Sequence, residues 1–193
     1  VMRCGAAVGD GQAMKIVNNL LSAGARLATL EIVAVGRKMG LSLAAITDVV
    51  NKGSGRNRTS RLMLQNMVDG KPSASSFALA LMLKDINQAV QLGMDCSVPT
   101  PVAGAVRSLL QIGVATRGDK AQLEEMLQVI EQQAGTRIVD QAGAPDAAAA
   151  PASGTGQNLR VGYVGLGAMG GALTRRLMLS RTMHVYDARP EVV

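Results

Sequence analysis

Arg160-Val161-Gly162-Tyr163-Val164-Gly165-Leu166-Gly167-Ala168-Met169-Gly170 carries the most decisive pattern in the chain. A short β-branched run, Arg160 to Val164, leads into a glycine turn over Gly165 to Gly170, and a helical period follows from Gly171 to Leu179. The three motif glycines have separate physical uses. Gly165 permits the tight turn, Gly167 lets the backbone approach an anion, and Gly170 leaves room for the helix to lie on the strand. The leading N–H groups of such a helix have no intrahelical partner and attract a phosphate. A second strand is expected over Met183 to Tyr186, with Asp187 at its end, 20 residues after Gly167, where a carboxylate accepts bonds from ribose hydroxyls. In this order the elements spell the opening of a Rossmann dinucleotide-binding unit. Its cofactor residues are Gly165, Leu166, Gly167, Ala168, Met169, Gly170 and Asp187. Asp187 favours NAD, and Arg189 two residues on leaves NADP open. His184, within the second strand, has no Ser or Cys partner in view and reads as structural.

Upstream, residues 140–158 are dominated by Ala, Gly, Pro and Ser, including the alanine run from Ala147 to Ala150 between Pro145 and Pro151. Such a stretch has almost nothing to bury and reads as an interdomain linker. Residues 1–139 read as all-helical. From Gly9 to about Met39 one apolar row comprises Ile16, Leu20, Ala23, Leu27, Leu30 and Ala34. A second row, Val17, Leu21, Ala28, Ile32 and Val35, runs beside it, so the helix is expected to be central and buried. Gly40 is its expected C-terminal stop. Further helices are expected over about Ser42 to Asn51, Arg58 to Val68, Phe77 to Leu92, Pro101 to Val114, and Lys120 to Gln133 with Asp119 as N-cap. The fold class is therefore mainly α, with domains 1–139 (helical), 140–158 (linker) and 159–193 (a partial β-α-β unit, since a stable parallel sheet needs more strands).

Composition narrows the function classes. The chain has 193 residues, of which 48% are hydrophobic and 18% charged, enough apolar mass for a folded core. With no Trp, one Phe and two Tyr, the apolar mass comes from aliphatic side chains and 11 Met, which favours close helix packing. The net charge of +6 has no aromatic stacking platform or zinc-finger spacing beside it, so no nucleic-acid partner is expected. No apolar run reaches the roughly 18 residues of a membrane span, and no membrane partner is expected. Cys4 and Cys96 read as isolated thiols of a reduced, cytoplasmic setting. No metal site is expected.

Two other stretches carry chemistry. In Gly9-Asp10-Gly11-Gln12-Ala13-Met14-Lys15-Ile16-Val17-Asn18-Asn19, Lys15 and Asn19 are four apart, share a helix face and can converge on one ligand. Polar groups in so apolar a helix need a reason, although a lysine near a helix end also snorkels to solvent. In Phe77-Ala78-Leu79-Ala80-Leu81-Met82-Leu83-Lys84-Asp85, the adjacent charges Lys84 and Asp85 point apart on a helix. They are expected to find different partners. Arg56, Arg58 and Arg61 form a basic knot at a glycine loop that could meet a cofactor phosphate, although a solvated loop face is the commoner explanation, and the knot is left unassigned.

Together these three stretches resemble the β-hydroxyacid dehydrogenase family, the group of 3-hydroxyisobutyrate dehydrogenase. Gly11, Lys15 and Asn19 resemble the family's catalytic Gly-x-x-x-Lys-x-x-x-Asn motif. Lys84-Asp85 is similar to its second cofactor-contacting motif, and Gly165 to Gly170, with Met169, to its nucleotide fingerprint. The resemblance implies hydride transfer between NAD, or NADP, and a small hydroxy acid. It implies Lys15 as catalytic acid/base, Asn19, Asn18 and Gly11 at the substrate, and Phe77, Lys84 and Asp85 toward the cofactor, with Phe77 closing the pocket. Family members place the nucleotide domain first, so the order here implies a segment across the joint of a tandem fusion. The family's Asp-x-x-x-Ser-Gly-Gly substrate loop is absent from these residues, so the isolated chain is expected to be incomplete and inactive. The long apolar helix implies a homodimer through the helical domain. The alternative function is a non-catalytic dimerisation module derived from the same family.

Overall fold

Helix α1 runs from Asp10 to Lys38, 29 residues, in a computed structural model that describes residues 3–72, 77–139 and 160–193. The described residues fall into two units, 3–139 and 160–193. The expected linker over 140–158 lies outside them.

In the first unit α1 is followed by α2 (Leu43–Lys52), a π-helical stretch (Thr59–Leu64) continuing into α3 (Gln65–Val68), α4 (Leu79–Asp95), α5 (Pro101–Arg117), a 3-10 turn (Leu123–Glu125) and α6 (Met126–Ala134). Gly9 is the N-cap residue of α1, which has Asp10 in its first turn and Arg37 and Lys38 in its last, charges that suit the helix dipole. It stops where expected. Gly40 takes a positive φ of 83°, its N–H donates to the Arg37 carbonyl at 3.0 Å, and the Leu41 N–H reaches back to the Gly36 carbonyl at 3.0 Å. This pair of bonds is the Schellman arrangement, which favours glycine. Ser42 then caps α2 by accepting from the Ala45 N–H at 3.1 Å.

Helix α1 packs against α2, the π-helical stretch, α4, α5 and α6. Its first apolar row faces them: Ile16, Ala23, Leu27, Leu30 and Ala34 are buried. Ala23, Leu27, Leu30 and Ala34 join Leu64, Leu79, Ile86, Leu110 and Met126 in one core, where each fully buried large aliphatic side chain contributes about 1.5–3 kcal/mol. The second row behaves otherwise. Val17, Leu21, Ile32 and Val35 are 50%, 69%, 62% and 51% exposed, and Ala28 is exposed too. The expectation of a helix buried all round is corrected, because among the described residues the neighbouring helices cover only one side of it.

Other expectations shift at the boundaries. Residues Arg58 to Val68 contain the π-helical turn, held at its start by Asn57, whose Oδ1 accepts from the N–H groups of Thr59 and Ser60 at 2.8 and 3.1 Å. Helix α4 starts at Leu79 rather than Phe77, because Ala78 pairs antiparallel with Gln122 in an isolated bridge. The same bridge delays α6, and Asp119 is not its cap. The Glu125 carboxylate accepts from the Gln122 N–H at 2.8 Å and opens the 3-10 turn instead. Arg56, Arg58 and Arg61 are exposed.

The second unit comprises β1 (Val161–Val164), α7 (Ala168–Met178), β2 (Met183–Tyr186) and a 3-10 turn (Pro190–Val192). The strands pair in parallel, Val161 opposite Met183 and Val164 opposite Tyr186. Helix α7 starts three residues before the expected Gly171, so Ala168, Met169 and Gly170 belong to its first turn. Only Gly171, Thr174 and Met183 are buried among residues 160–193.

Candidate functional site

Asp85 sits on the buried face of α4, in line with Met82, Ile86 and Ala89, and is 1% exposed. A bare carboxylate there would be costly, and burial pushes its proton affinity up. Hydrogen bonds from Lys15, Lys84 and Asn19 outweigh that and hold the carboxyl below the usual carboxylate range. The Lys15 Nζ lies 3.0 Å from Oδ2 and 3.1 Å from Oδ1. The Asn19 amide Nδ2 donates to Oδ2 at 2.7 Å. Because Lys15 and Asn19 are one turn apart on α1, a single acid on α4 fixes both.

The expectation that Lys84 and Asp85 seek different partners is corrected. The Lys84 Nζ is 3.1 Å from Asp85 Oδ1. Adjacent helical side chains do diverge, but Asp85 is anchored inward and the long Lys84 stem folds round to reach it. Three polar side chains thus meet at one buried carboxylate. The lysine ends remain accessible, with side chains 44% exposed at Lys15 and 54% at Lys84.

The other expected residues stand further out. Asn18 is exposed, and its Nδ2 reaches the Asn19 Oδ1 at 3.5 Å. Gly11 is exposed one turn before Lys15, and a side chain there would meet nothing within 4 Å. Phe77 is half-buried against the helical core, just before α4. Asp85, which the resemblance places toward the cofactor, lies beneath Lys15 and Asn19. The signal was present in the sequence, since an acid in step with Met82, Ile86 and Ala89 points inward.

In the second unit Gly165 has a positive φ of 93°. A Cβ on Gly170 would collide with the Gly165 carbonyl, so the close approach between helix and turn depends on glycine here. Gly167 faces open space, with nothing within 4 Å of an added Cβ. No side chain caps α7, so its first N–H groups are left for an anion. Asp187 accepts from the Leu166 N–H at 2.6 Å and from the Arg189 N–H at 2.9 Å. The bonds from Arg189 and Leu166 hold its carboxyl below the usual range. The Arg189 guanidinium folds onto the same carboxylate at 3.3 Å. Among the described residues no group of three or more His, Cys, Asp or Glu is placed to hold a metal, and no helix is long and apolar enough to cross a membrane.

Residues 9–130 match the family described as NAD-binding of NADP-dependent 3-hydroxyisobutyrate dehydrogenase. The match covers the Lys15, Asn19 and Asp85 cluster and ends before the glycine motif. The 2-(hydroxymethyl)glutarate dehydrogenase of Eubacterium barkeri is 30% identical over 131 residues, 67% of this chain and 43% of that protein. The probable mitochondrial 3-hydroxyisobutyrate dehydrogenase of Arabidopsis thaliana is 33% identical over 112 residues, 55% of this chain and 32% of its own length. Among solved structures, the Mycobacterium tuberculosis 3-hydroxyisobutyrate dehydrogenase with L-serine is similar at a TM-score of 0.55 and 25% identity, covering 67% of this chain and 46% of that one. The 3-hydroxyisobutyrate dehydrogenase of Salmonella typhimurium, at 23% identity and a TM-score of 0.56 over 67% of this chain and 45% of that one, shares the fold. The chain spans less than half the length of these relatives. With most of its length in the family match, and the expected lysine and asparagine meeting on one buried acid, the chain belongs to the 3-hydroxyisobutyrate dehydrogenase family of β-hydroxyacid dehydrogenases.

Proposed function

We propose that the chain forms part of an NAD(P)-dependent oxidoreductase that moves a hydride between nicotinamide and the carbinol carbon of a small β-hydroxy acid, with Lys15 as general acid/base. The observation that carries this reading is the shared hold of Asp85 on Lys15 and Asn19, at 2.7–3.1 Å. A lysine that only snorkels to solvent has no need of a buried acid beneath it, nor of an amide on the same acid.

When bound, NAD(P) supplies the hydride acceptor in one direction and the donor in the other. The turn of Gly165, Gly167 and Gly170 and the uncapped start of α7 fit its pyrophosphate. Asp187 would hold the adenosine ribose, and its grip on Arg189 supports NAD over NADP.

The proton work falls to Lys15. In oxidation its Nζ, entering the step as the neutral amine, accepts the proton of the substrate hydroxyl as the carbon loses hydride, and leaves it as the ammonium. In reduction it returns that proton to the carbonyl oxygen. An ammonium has three N–H donors, so contact with Asp85 leaves capacity for a substrate oxygen. Asn19 commits Nδ2 to Asp85 and keeps Oδ1 to orient the substrate. Lys84 would neutralise the substrate carboxylate or contact the cofactor. Asn18, Gly11 and Phe77 would border the pocket.

The test joins these residues to a complete nucleotide-binding domain. Lys15→Ala should lower kcat by roughly 10²–10⁴-fold with little change in cofactor binding. Lys15→Arg keeps a positive charge but stays protonated and should be as poor. Near-full turnover of Lys15→Arg across pH would refute the proton-transfer role. Unchanged turnover in Lys15→Ala would favour a non-catalytic module.

A further inference from the structure

Glu131 is a second buried acid, and the catalytic reading does not use it. It lies on the inward face of α6 with Met126, Val129 and Ile130 and is 7% exposed. Two groups from the chain just past the helix meet it. Its Oε1 accepts from the Ile138 N–H at 2.7 Å, and its Oε2 lies 3.2 Å from the Arg137 guanidinium. A buried carboxylate is tolerated when both of its oxygens are met in this way. Gly135 makes the arrangement possible, since its positive φ of 59° ends α6. The Thr136 N–H then donates to the Glu131 carbonyl at 3.2 Å, and Ile138 enters the core. From the last turn of α1, the Arg37 Nε donates to the Arg137 carbonyl at 3.4 Å. Arg137 is thus held by backbone and side chain together, although that side chain is 69% exposed.

The guanidinium fixed in this way lines a cavity of about 440 Å³. Arg117, in the last turn of α5, lines it too, with the side chains of Gln128, Gln132 and Thr136. Among the described residues Arg117 has no hydrogen-bond or ion-pair partner, and those two amides and the hydroxyl are also unbonded. The helix dipole favours a cation at the end of α5 and accounts for Arg117 alone. It does not account for a second arginine on the same cavity, anchored by a buried acid.

With Glu131 against Arg117 and Arg137, the cavity keeps a net positive charge. A guanidinium fork grips carboxylate or phosphate oxygens in pairs, and one already held in place loses less freedom on binding. We infer that this cavity binds a small organic anion, its carboxylate or phosphate between Arg117 and Arg137 and its hydroxyl or amide groups toward Gln128, Gln132 and Thr136. The volume falls within the roughly 300–1,000 Å³ of small-molecule sites. The site is separate from the catalytic cluster. Arg37, which holds the Arg137 carbonyl, stands 22 residues beyond Lys15 on α1, about 33 Å along the helix axis.

The test titrates the full 193-residue chain with inorganic phosphate and, separately, with lactate at constant ionic strength, reading backbone amide shifts by NMR. At least one probe should saturate the amides of Gly135, Thr136 and Ile138 with a Kd of about 1 mM or tighter. Shifts at Gly165–Gly170 report the nucleotide turn and are counted separately. Saturation by phosphate alone assigns the site to phosphorylated ligands, and saturation by lactate alone assigns it to carboxylates. Arg117→Ala and Arg137→Ala should each weaken binding about 10-fold or more. Arg117→Lys, which keeps the charge and loses the fork, should fall between. Arg58→Ala removes an equally exposed arginine elsewhere and should change nothing, and circular dichroism reports whether each variant keeps its helices. No saturable shift with either probe up to about 20 mM overturns the inference. Affinity unchanged in both arginine-to-alanine variants overturns it, and an equal loss in Arg58→Ala reduces it to a diffuse effect of net charge and overturns it too. None of these outcomes bears on Lys15.

Discussion

Asp85 and Asp187 are each held by several donors, but the donors come from very different distances along the chain. Asp85 gathers Lys15 and Asn19 from 70 and 66 residues away, besides its neighbour Lys84. Asp187 is bonded by Leu166, 21 residues away, and by Arg189, two residues away. The first acid is satisfied only when α1 and α4 are packed together. The second is satisfied by one strand-turn-helix-strand segment, most of whose apolar side chains stay exposed, including Val164, Met169, Leu179 and Tyr186. One unit builds its polar cluster on a core, whereas the other builds a recognisable motif almost without one.

The contrast is broken most sharply by amide exchange. Amides beside Leu27, Ile86 and Leu110, fully or almost fully buried, should exchange on the order of 10⁴-fold or more slowly than those of Val161–Val164, because core helices open only with the whole unit. Equal protection in the two segments would mean that the β-α-β unit is stabilised as well as the helical one.

A smaller effect separates the two acids directly. Asp85→Ala strips Lys15 and Asn19 of their anchor, but Lys15 can rehydrate, so the cost should be about 1–3 kcal/mol in urea unfolding of the helical unit. Asp187→Ala should leave that transition where it is. If both substitutions shifted it equally, the two carboxylates would not belong to separate cooperative units.

The smallest effect is the acid limb of stability. The folded-state carboxyl of Asp85 lies below its unfolded value, so its contribution is fully present above the ordinary carboxylate range. It is lost as pH falls through the depressed value, which places the loss below about pH 4. Asp85→Asn should flatten that limb by about 1 kcal/mol. An unchanged acid limb would show that Asp85 is not the group responsible.

Most of this was legible in the sequence where the signal is local. The glycine turn announced β1, α7 and β2, and the lysine and asparagine of α1 announced a shared face. The α1 row of Ile16, Ala23, Leu27, Leu30 and Ala34 announced the core. What escaped depends on partners remote in the chain. Periodicity shows that α1 is apolar on two sides but not that its neighbours cover only one. The spacing of Lys84 and Asp85 says that they diverge, yet not that a buried acid draws a long side chain back. The bridge between Ala78 and Gln122 joins two loops with no strand pattern. It moved the starts of α4 and α6, which local capping rules cannot foresee.

The tie between α1 and α4 also has a kinetic meaning. Drawing Lys15 and Asp85 together closes a loop of about 70 residues, an entropic cost that grows with the logarithm of loop length and must be met before the contact can stabilise anything. Individual helices can form within microseconds, yet none of them alone contains the cluster. The Lys15–Asp85 contact therefore reports on completed assembly: during synthesis, the lysine has no acid to hold it until α4 has been made and has docked on α1.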